Sequence, residues 1–568
     1  MKKNLRTILV PIALLVSAAM ISGCKKSEGG SQAKAGKSQV MTIDIYDCAA
    51  NFQGLQPGWF AKIIKDKFNV EFNIIAPNIS GNPDALYQTR CASGNLGDII
   101  IIENGKVQEC IDANLLMDLT EIIPTMKNLS KFSDKINAFN GTLNIPKGKV
   151  YSLPGGMSDA GATGYGLTKM NGPFIPWDYY VELGRPKIDN DTQLLELFSK
   201  MMKKHPVNED GDPAYAFSLW SSWDGSSVEN VNQIVPWYGE QVNESLLIDA
   251  KGNMKDITSD DGAYKKMIKF LYNANKMGLV DPDSTTQGWD DACTKMQHKQ
   301  VYLFWYWWQT GFWNSNDRAA NLDGFVYIPV SSHHYLQTGD SSFGDGRNWS
   351  IGSKVDGAKK AKIIEILDWM ASEEGLHYIH LGMEGFNYRI KSDGSYEMIK
   401  ENENAMNDNT KVPDEFGGGG YGDGMNKINC YLVSSETINP KTGEPYASDR
   451  WASYVESSRT ALTDAWAKQF GYPDQVAYLK GKKMVDFIPN VNICLDQDTS
   501  DVGLIRSQCT PVLKDTTWKM IVAANDTEFE TLWKDMKAQL NGYGWKEVVN
   551  FDKAKYKKLV EARKNALK

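Results

Sequence analysis

Between residues 41 and 102 the apolar period switches back and forth between two and 3.6, and this alternation limits the fold more than any other feature. Met41, Ile43 and Ile45 alternate with polar residues, as in a half-buried strand. A break runs from Gly54 to Pro57, and then Phe60, Ile63, Ile64 and Phe68 fall on one helical face. Val70, Phe72 and Ile74 alternate again, and Gly97-Asp98-Ile99-Ile100-Ile101-Ile102 reads as a fully buried strand. Such a β-α-β-α-β order predicts a mostly parallel sheet covered by helices. Lys149 to Gly156 reads as a strand leaving this lobe.

A second lobe is expected beyond it. Leu194, Leu195, Phe198, Met201 and Met202 form one helical stripe, and Tyr264, Met267, Ile268 and Leu271 another. Between them, Tyr215 to Asp224 reads as a strand opening into a loop. Val301 to Trp308 is a β-rich run ending in tryptophans, with Phe312 and Trp313 close behind. A helix is expected through Ile363, Ile364, Leu367, Met370 and Ala371. Asp414 to Gly424 is a glycine-rich loop, and the C-terminal part is helical and charged. No 20- to 50-residue period repeats, which excludes solenoids and propellers. A length of 568 residues suits two to four domains' worth of mass.

The amino terminus reads differently. Lys2, Lys3 and Arg6 precede an apolar run from Ile8 to Ile21, which ends in Ile21-Ser22-Gly23-Cys24. The run is shorter than the ~20 apolar residues of a spanning helix, and its flanks suit a signal peptide over residues 1–23. The ending resembles a bacterial lipobox, which predicts cleavage before Cys24 and a lipid on its thiol. An ordinary signal peptide or an anchor helix is the alternative. Residues 24–39 are almost free of apolar side chains and are expected to be a flexible tether. The mature chain is therefore expected outside the cytoplasm, held at a membrane surface. A net charge of -8 argues against nucleic acid as partner. Of eight cysteines, seven remain once Cys24 is lipidated, and no CxxC pair occurs.

The chain has 17 Trp, 25 Tyr and 20 Phe. A core does not need so many indoles, each with an N–H that wants a partner. Exposed aromatic faces stack on the flat apolar face of a pyranose, while nearby polar groups bond its hydroxyls. For any single Trp, a core position is the better expectation. Motifs for chemistry are weak. His377 and His380 share a helical face but no HExxH order is present. Gly417, Gly419 and Gly422 satisfy GxGxxG without the strand and helix it needs, and no GxSxG occurs.

The lipobox, the tether, the opening lobe with Gly97-Asp98-Ile99, the exit Val150-Tyr151-Ser152-Leu153-Pro154 and Ser372-Glu373-Glu374-Gly375 together resemble an extracellular solute-binding protein of a bacterial ABC importer. Within these, the chain is similar to the long family 1 lipoproteins found mostly in Gram-positive bacteria. Gly382-Met383-Glu384-Gly385-Phe386-Asn387-Tyr388 resembles their Gly-x-Glu-Gly-x-x-Tyr signature, and Gly278 to Asp283 and Trp177 to Gly184 have counterparts there. The resemblance implies an α/β, two-lobed, periplasmic-binding-protein-like (type II) fold with an interlobe cleft and hinge crossovers. Lobe 1 would comprise residues 40–154 with about 350–400, and lobe 2 residues 155–349 with about 425–568. It also implies a monomer that closes on a carbohydrate and is then recognised by a membrane permease. Many relatives carry a calcium loop. The equivalent Val207-Asn208-Glu209-Asp210-Gly211-Asp212-Pro213 lacks the regular spacing and is read as an ordinary acidic turn, with a calcium loop as the alternative, so no cofactor is assigned.

Ligands of such folds contact loops at the carboxyl ends of strands. That rule selects Phe52, Gln53 and Glu103 from the first lobe, and Trp220, Trp223, Asp224, Trp307 and Trp308 from the second. Trp237 is placed at the mouth, Asn348 and Trp349 before a crossing strand, and Glu384 in the signature loop. The expected ligand is an oligosaccharide. A peptide or other small solute, a surface glycan-active enzyme and a helical-repeat glycan-binding lipoprotein are the alternatives.

Overall fold

The computed structural model describes residues 39–568 apart from 51, 78–82, 160–166, 340–341, 400–410 and 567–568. The expected signal peptide, the lipidated Cys24 and nearly all of the tether lie outside the described residues. Val40–Lys568 is one compact unit.

Its first half is built on a sheet whose centre follows the period-two pattern. Strand β1 (Met41–Asp47) pairs in parallel with β2 (Val70–Ile75), with Met41 opposite Val70 and Ile45 opposite Ile74. On its other side β1 pairs in parallel with β3 (Ile99–Glu103), Ile45 opposite Ile99. Helix α1 (Gly58–Phe68) makes the first crossover and buries Trp59, Phe60, Ile64 and Phe68. It stops at Asn69, whose left-handed φ of 56° ends the helix and starts β2. Helix α2 (Pro83–Ala92) makes the second crossover. Alternation splits the sheet between two cores: Ile99 and Ile101 face one, Ile100 and Ile102 the other.

The exit strand is shorter than expected, only β4 (Leu153–Pro154). The chain returns much later as β5 (Arg347–Ile351), which lies antiparallel between β3 and β4. Helix α3 (Gly357–Met370) then covers the sheet with Ile363, Ile366, Leu367, Trp369 and Met370.

The second lobe is mainly helical. Helix Asp191–Lys204 is capped by Asn190 and buries the expected Leu194, Leu195, Phe198 and Met201. Helix Ala263–Lys276 packs on the C-terminal helices Ser500–Ile521 and Asp526–Tyr543, and Trp545–Ala566 joins the same core. The expected strands through Tyr215 and Val301 are extended but, among the described residues, make isolated bridges: Tyr215 to Val301, Phe217 to Val280 and Phe304 to Phe174. The tryptophan end of that run coils into a 3-10 turn, Trp307–Phe312.

One segment packs differently from the expected division. Met425, Ile428, Cys430, Leu432, Val433, Tyr446 and Trp451 lie in the first core, not the second. A glycine explains how this irregular stretch docks: a Cβ at Gly424 would fall 2.3 Å from the Trp59 ring, so only glycine lets the loop lie on α1. The Trp59 indole N–H donates to the Tyr421 carbonyl oxygen at 2.9 Å, and the two rings stack.

The chain passes between the two cores after Met157, after Thr338 and after Trp451. Three asparagines bind this region. Asn348 Nδ2 donates to Asn104 Oδ1 at 2.7 Å, Asn492 Nδ2 donates to Asn348 Oδ1 at 3.2 Å, and Asn104 Nδ2 donates to the Ile493 carbonyl at 3.0 Å. No described helix is long and apolar enough to cross a membrane.

Candidate functional site in the interlobe cleft

Three of the expected tryptophans, Trp220, Trp223 and Trp308, meet in one aromatic cluster. Trp220 is buried and forms its floor, stacked 5.6 Å from Trp305 and 5.3 Å edge-on from Trp223. Above the floor, Trp223 lies 4.3 Å from Trp289, Trp289 lies 5.7 Å from Trp308, and Trp308 stacks on Tyr306 at 4.9 Å. Trp223, Trp307 and Trp308 remain 37%, 41% and 38% exposed, unusual for residues whose burial would release so much apolar surface from water.

The ammonium of Lys169 lies 5.8 Å from the centre of the Trp307 ring. Its side chain is exposed and makes no hydrogen bond or ion pair among the described residues. Surrounding protein nevertheless pushes its pKa down, against an upward pull from Asp449. A cation that is wetted yet crowded by protein stands in a cleft. Lys169 adjoins Met170 of the second core, while Asp449 adjoins Trp451 of the first, so the cleft runs between the lobes.

On the first-lobe side Asp449 borders a cavity of about 460 Å³. Asp345, Asn426, Tyr431, Ser434, Ser448 and Tyr454 line it, a mixture of rings, hydroxyls and carboxylates. Burial raises the Asp345 pKa, opposed by the Arg347 amide, which donates to Asp345 Oδ1 at 3.1 Å, and by the Arg347 charge. His380 also lines the cavity, its Nε2 donating to the Val433 carbonyl at 2.9 Å, and burial pushes its pKa down to about 4. A neutral imidazole can only donate to that carbonyl, so Nε2 carries the proton.

Several expected ligand residues sit elsewhere. Trp237 and Trp349 are inside the second and first cores, 1% and 0% exposed. Asn348 is equally buried and belongs to the asparagine network. Both carboxylate oxygens of Asp224 are engaged, one by the Glu229 amide and one by the Trp518 indole at 2.8 Å each. Gln53 is exposed but its Oε1 accepts the Ala76 amide at 2.8 Å. Phe52 is half-buried under the Lys427 ammonium, and Glu103 is exposed at the end of β3. Glu384 borders a different groove, beside His377. Trp289, Lys169 and Asp449 were not expected. Trp289 opens a short helix, and the other two lie in segments without any period to read.

The acidic turn does not present converging oxygens. Asn208 Oδ1 accepts the amides of Asp210 and Asp212, Asp210 pairs with His298 and Glu209 with Arg318. Among the described residues no three acidic, histidine or cysteine side chains cluster as a metal site.

No family model matches the chain. Its sequence is 22% identical over 447 residues, 78% of this chain and 75% of the relative, to the fructooligosaccharide ABC transporter substrate-binding protein FusA of Streptococcus pneumoniae. Its fold matches the solved structure of that protein in complex with kestose, with a TM-score of 0.61 and 15% identity, over 91% of this chain and 99% of the other. It also matches an alginate-binding protein, AlgQ2, at a TM-score of 0.59 and 16% identity, over 92% and 99%. A solute-binding protein of Bifidobacterium longum infantis, associated with an ABC transporter that binds HMO, matches at 0.58 and 14%, over 93% and 100%. The chain thus has the two-lobed fold of ABC transporter substrate-binding proteins and is similar in sequence, over three quarters of its length, to one that serves a sugar transporter.

Proposed function

We propose that this protein is a lipid-anchored receptor that captures an oligosaccharide between its lobes and presents it to the permease of an ABC importer. The observation that carries this reading is the row of part-exposed rings Trp223, Trp289 and Trp308, with part-exposed Trp307 next in the chain beneath Lys169, which has no hydrogen bond or ion pair among the described residues. Flat apolar plates flanked by a few polar groups suit sugar rings, whose faces are apolar and whose edges carry hydroxyls. The row is longer than one ring needs, which favours an oligosaccharide over a monosaccharide. The ligands named for the relatives, a fructooligosaccharide, kestose and alginate, support the same class. Closure would bring the Asp449 cavity onto a ligand resting on the tryptophans, and only the closed form makes both sets of contacts. Nothing in the cleft needs to break a bond for this task, so the protein acts as a receptor and not as an enzyme.

Tryptophan fluorescence and calorimetry against a panel of mono- and oligosaccharides test the reading, with peptides alongside. Saturable binding of an oligosaccharide that is recovered intact supports it. Binding of peptides alone, or conversion of the sugar to product, would overturn it. Growth-dependent uptake of the identified sugar, lost with Cys24→Ser, checks the anchor and the transport step.

A further inference from the structure

The run Gly382 to Tyr388 has no place in the cleft, yet Glu384 and Tyr388 from it both border a separate groove of about 1230 Å³ on the first lobe. Local pairing builds the floor of this groove. Strand Tyr388–Ile390 lies antiparallel to strand Tyr396–Met398, with Tyr388 opposite Met398 and Ile390 opposite Tyr396. Residues directly opposite, and residues two apart, share a face. Tyr388 and Tyr396 are therefore diagonal neighbours, with ring centres 5.7 Å apart. Tyr446 comes in from a distant segment, and the rings of Tyr388, Tyr396 and Tyr446 surround His377 at 5.7, 5.1 and 5.4 Å. Asn439 holds the arrangement: its Nδ2 donates to the Tyr396 hydroxyl at 3.1 Å and lies 3.4 Å from His377 Nε2.

The floor is buried, but its polar ends are not used up. Tyr388 and Tyr446 are 3% and 1% exposed, and their hydroxyls have no hydrogen-bond partner among the described residues. Thr437 lines the same groove at 5% exposure, and its Oγ1 also lacks a partner there. Buried hydroxyls are normally satisfied, so three on one groove point to an occupant with donors and acceptors of its own. Burial, then Glu384, raises the Tyr388 pKa; burial, then Glu373, raises that of Tyr446. Both phenols stay protonated and can donate as well as accept. Glu384 is exposed and has no hydrogen bond or ion pair among the described residues. At the rim Glu373 and Lys441 neutralise each other at 2.6 Å, and Lys127 and Lys131 offset Asp159 and Glu384, so no one sign of charge dominates.

We propose that this groove is a second binding site, separate from the cleft, for a neutral oligosaccharide whose hydroxyls bond to Tyr388, Tyr446, Thr437 and Glu384. Sugar hydroxyls donate and accept as these groups do, and a balanced lining does not call for a charged ligand. The volume exceeds the roughly 300–1,000 Å³ of ordinary small-molecule pockets, which suits an extended chain over a single ring. Ile390, 46% exposed, adds apolar surface for a sugar face. Tyr388, Tyr396 and Tyr446 all belong to the first core, so this site does not require the lobes to close. The ligand class rests on the reading of the protein as an oligosaccharide receptor; the site itself does not.

Hydrogen exchange read by mass spectrometry tests this on the full chain carrying Cys24→Ser, with kestose, maltotetraose and cellotetraose as probes. The expected result is saturable protection of the peptide covering residues 384–390 by at least one probe, kept when Trp307→Ala and Trp308→Ala disable the cleft. Tyr446 also borders the cleft cavity, so the groove is tested through Tyr388 and Thr437. Tyr388→Phe with Thr437→Val removes two hydroxyls that bond nothing among the described residues, so the melting temperature should hold or rise. Groove affinity should fall roughly tenfold, with cleft binding unchanged. Glu384→Gln, at an exposed side chain, should weaken the groove severalfold and decides the matter if the paired variant does not fold. Protection confined to residues 220–224 and 305–308 would overturn the groove and leave the cleft reading standing. Protection confined to the groove would support this site and overturn the cleft. Absence of groove protection by every probe, or unchanged groove affinity in the variants, would overturn the proposal.

Discussion

Lys169 holds its ammonium 5.8 Å from the centre of the Trp307 ring, where burial lowers its pKa against an upward pull from the Asp449 carboxylate of the other lobe. An exposed ring under a cation with no hydrogen bond or ion pair among the described residues has little to do with holding either core together. Trp307→Ala and Trp308→Ala are therefore expected to weaken saccharide binding by about 1.5 kcal/mol each, roughly tenfold in Kd. Melting temperature should hardly move, because surface substitutions away from caps and buried networks change stability by only about 0.5 kcal/mol. Trp237→Ala should do the reverse, lowering the melting temperature by the cost of a core cavity. Calorimetric titration and thermal melting separate the two patterns.

Asp47 is fully buried, its Oδ2 lacks a partner among the described residues, and burial raises its pKa to about 7. The folded protein thus holds a proton that the unfolded chain releases near the ordinary carboxylate value of about 3.9. Between those values the folded state binds more protons, so this residue makes stability fall as pH rises from 4 to 7. Asp47→Asn keeps an oxygen for the Ala49 amide and removes the charge. It should raise the melting temperature at pH 8 and leave it almost unchanged at pH 4.

His380 works in the opposite direction. Its folded pKa of about 4 lies below the unfolded value, so the unfolded chain binds the extra proton. The stability it contributes is complete above about pH 6.5 and is lost as pH falls toward 4. His380→Gln, which keeps a donor for the Val433 carbonyl, should flatten that acid limb in melts between these pH values. An unchanged acid limb would remove His380 as its cause.

Among the C-terminal helices Arg506 bridges two carboxylates. Its Nη2 donates to Asp552 at 2.7 Å and to Asp498 at 2.9 Å. Asp552 is fully buried, which works against its charge, yet Arg506 and Ser245 keep its pKa below the usual range. Arg506→Ala leaves that carboxylate buried without its cation, a loss of about 3–5 kcal/mol. Asp498→Ala should cost much less, since its partner keeps Asp552. Denaturant unfolding with unchanged m-values would measure both.

The alternation around Ile43, Phe72 and Ile101 was enough to place the parallel strands, because each strand's period is set by its own pleat. The Phe60–Phe68 stripe located its helix for the same local reason. The run from Val301 to Trp308 reads as β-rich, yet it folds as extended chain that closes in a 3-10 turn at Trp307. Its β-branched and aromatic residues fit an extended chain, but no neighbouring strand pairs with it beyond isolated bridges. Met425 to Trp451 had no period, so nothing local told which core would take it.

The sequence alone determined the opening β-α-β-α-β lobe and the surplus of indoles, both written in local period and composition. Only the tertiary structure decided which indoles are plates and which are core. Trp349 and Trp307 carry the same side chain, and their local sequences do not say whether a strand neighbour or water will cover it. Likewise Asp47 and Cys430 are 383 positions apart, and no local pattern announces their contact. Long-range packing decides such pairs, because burial and proximity belong to the folded chain and not to any window of it.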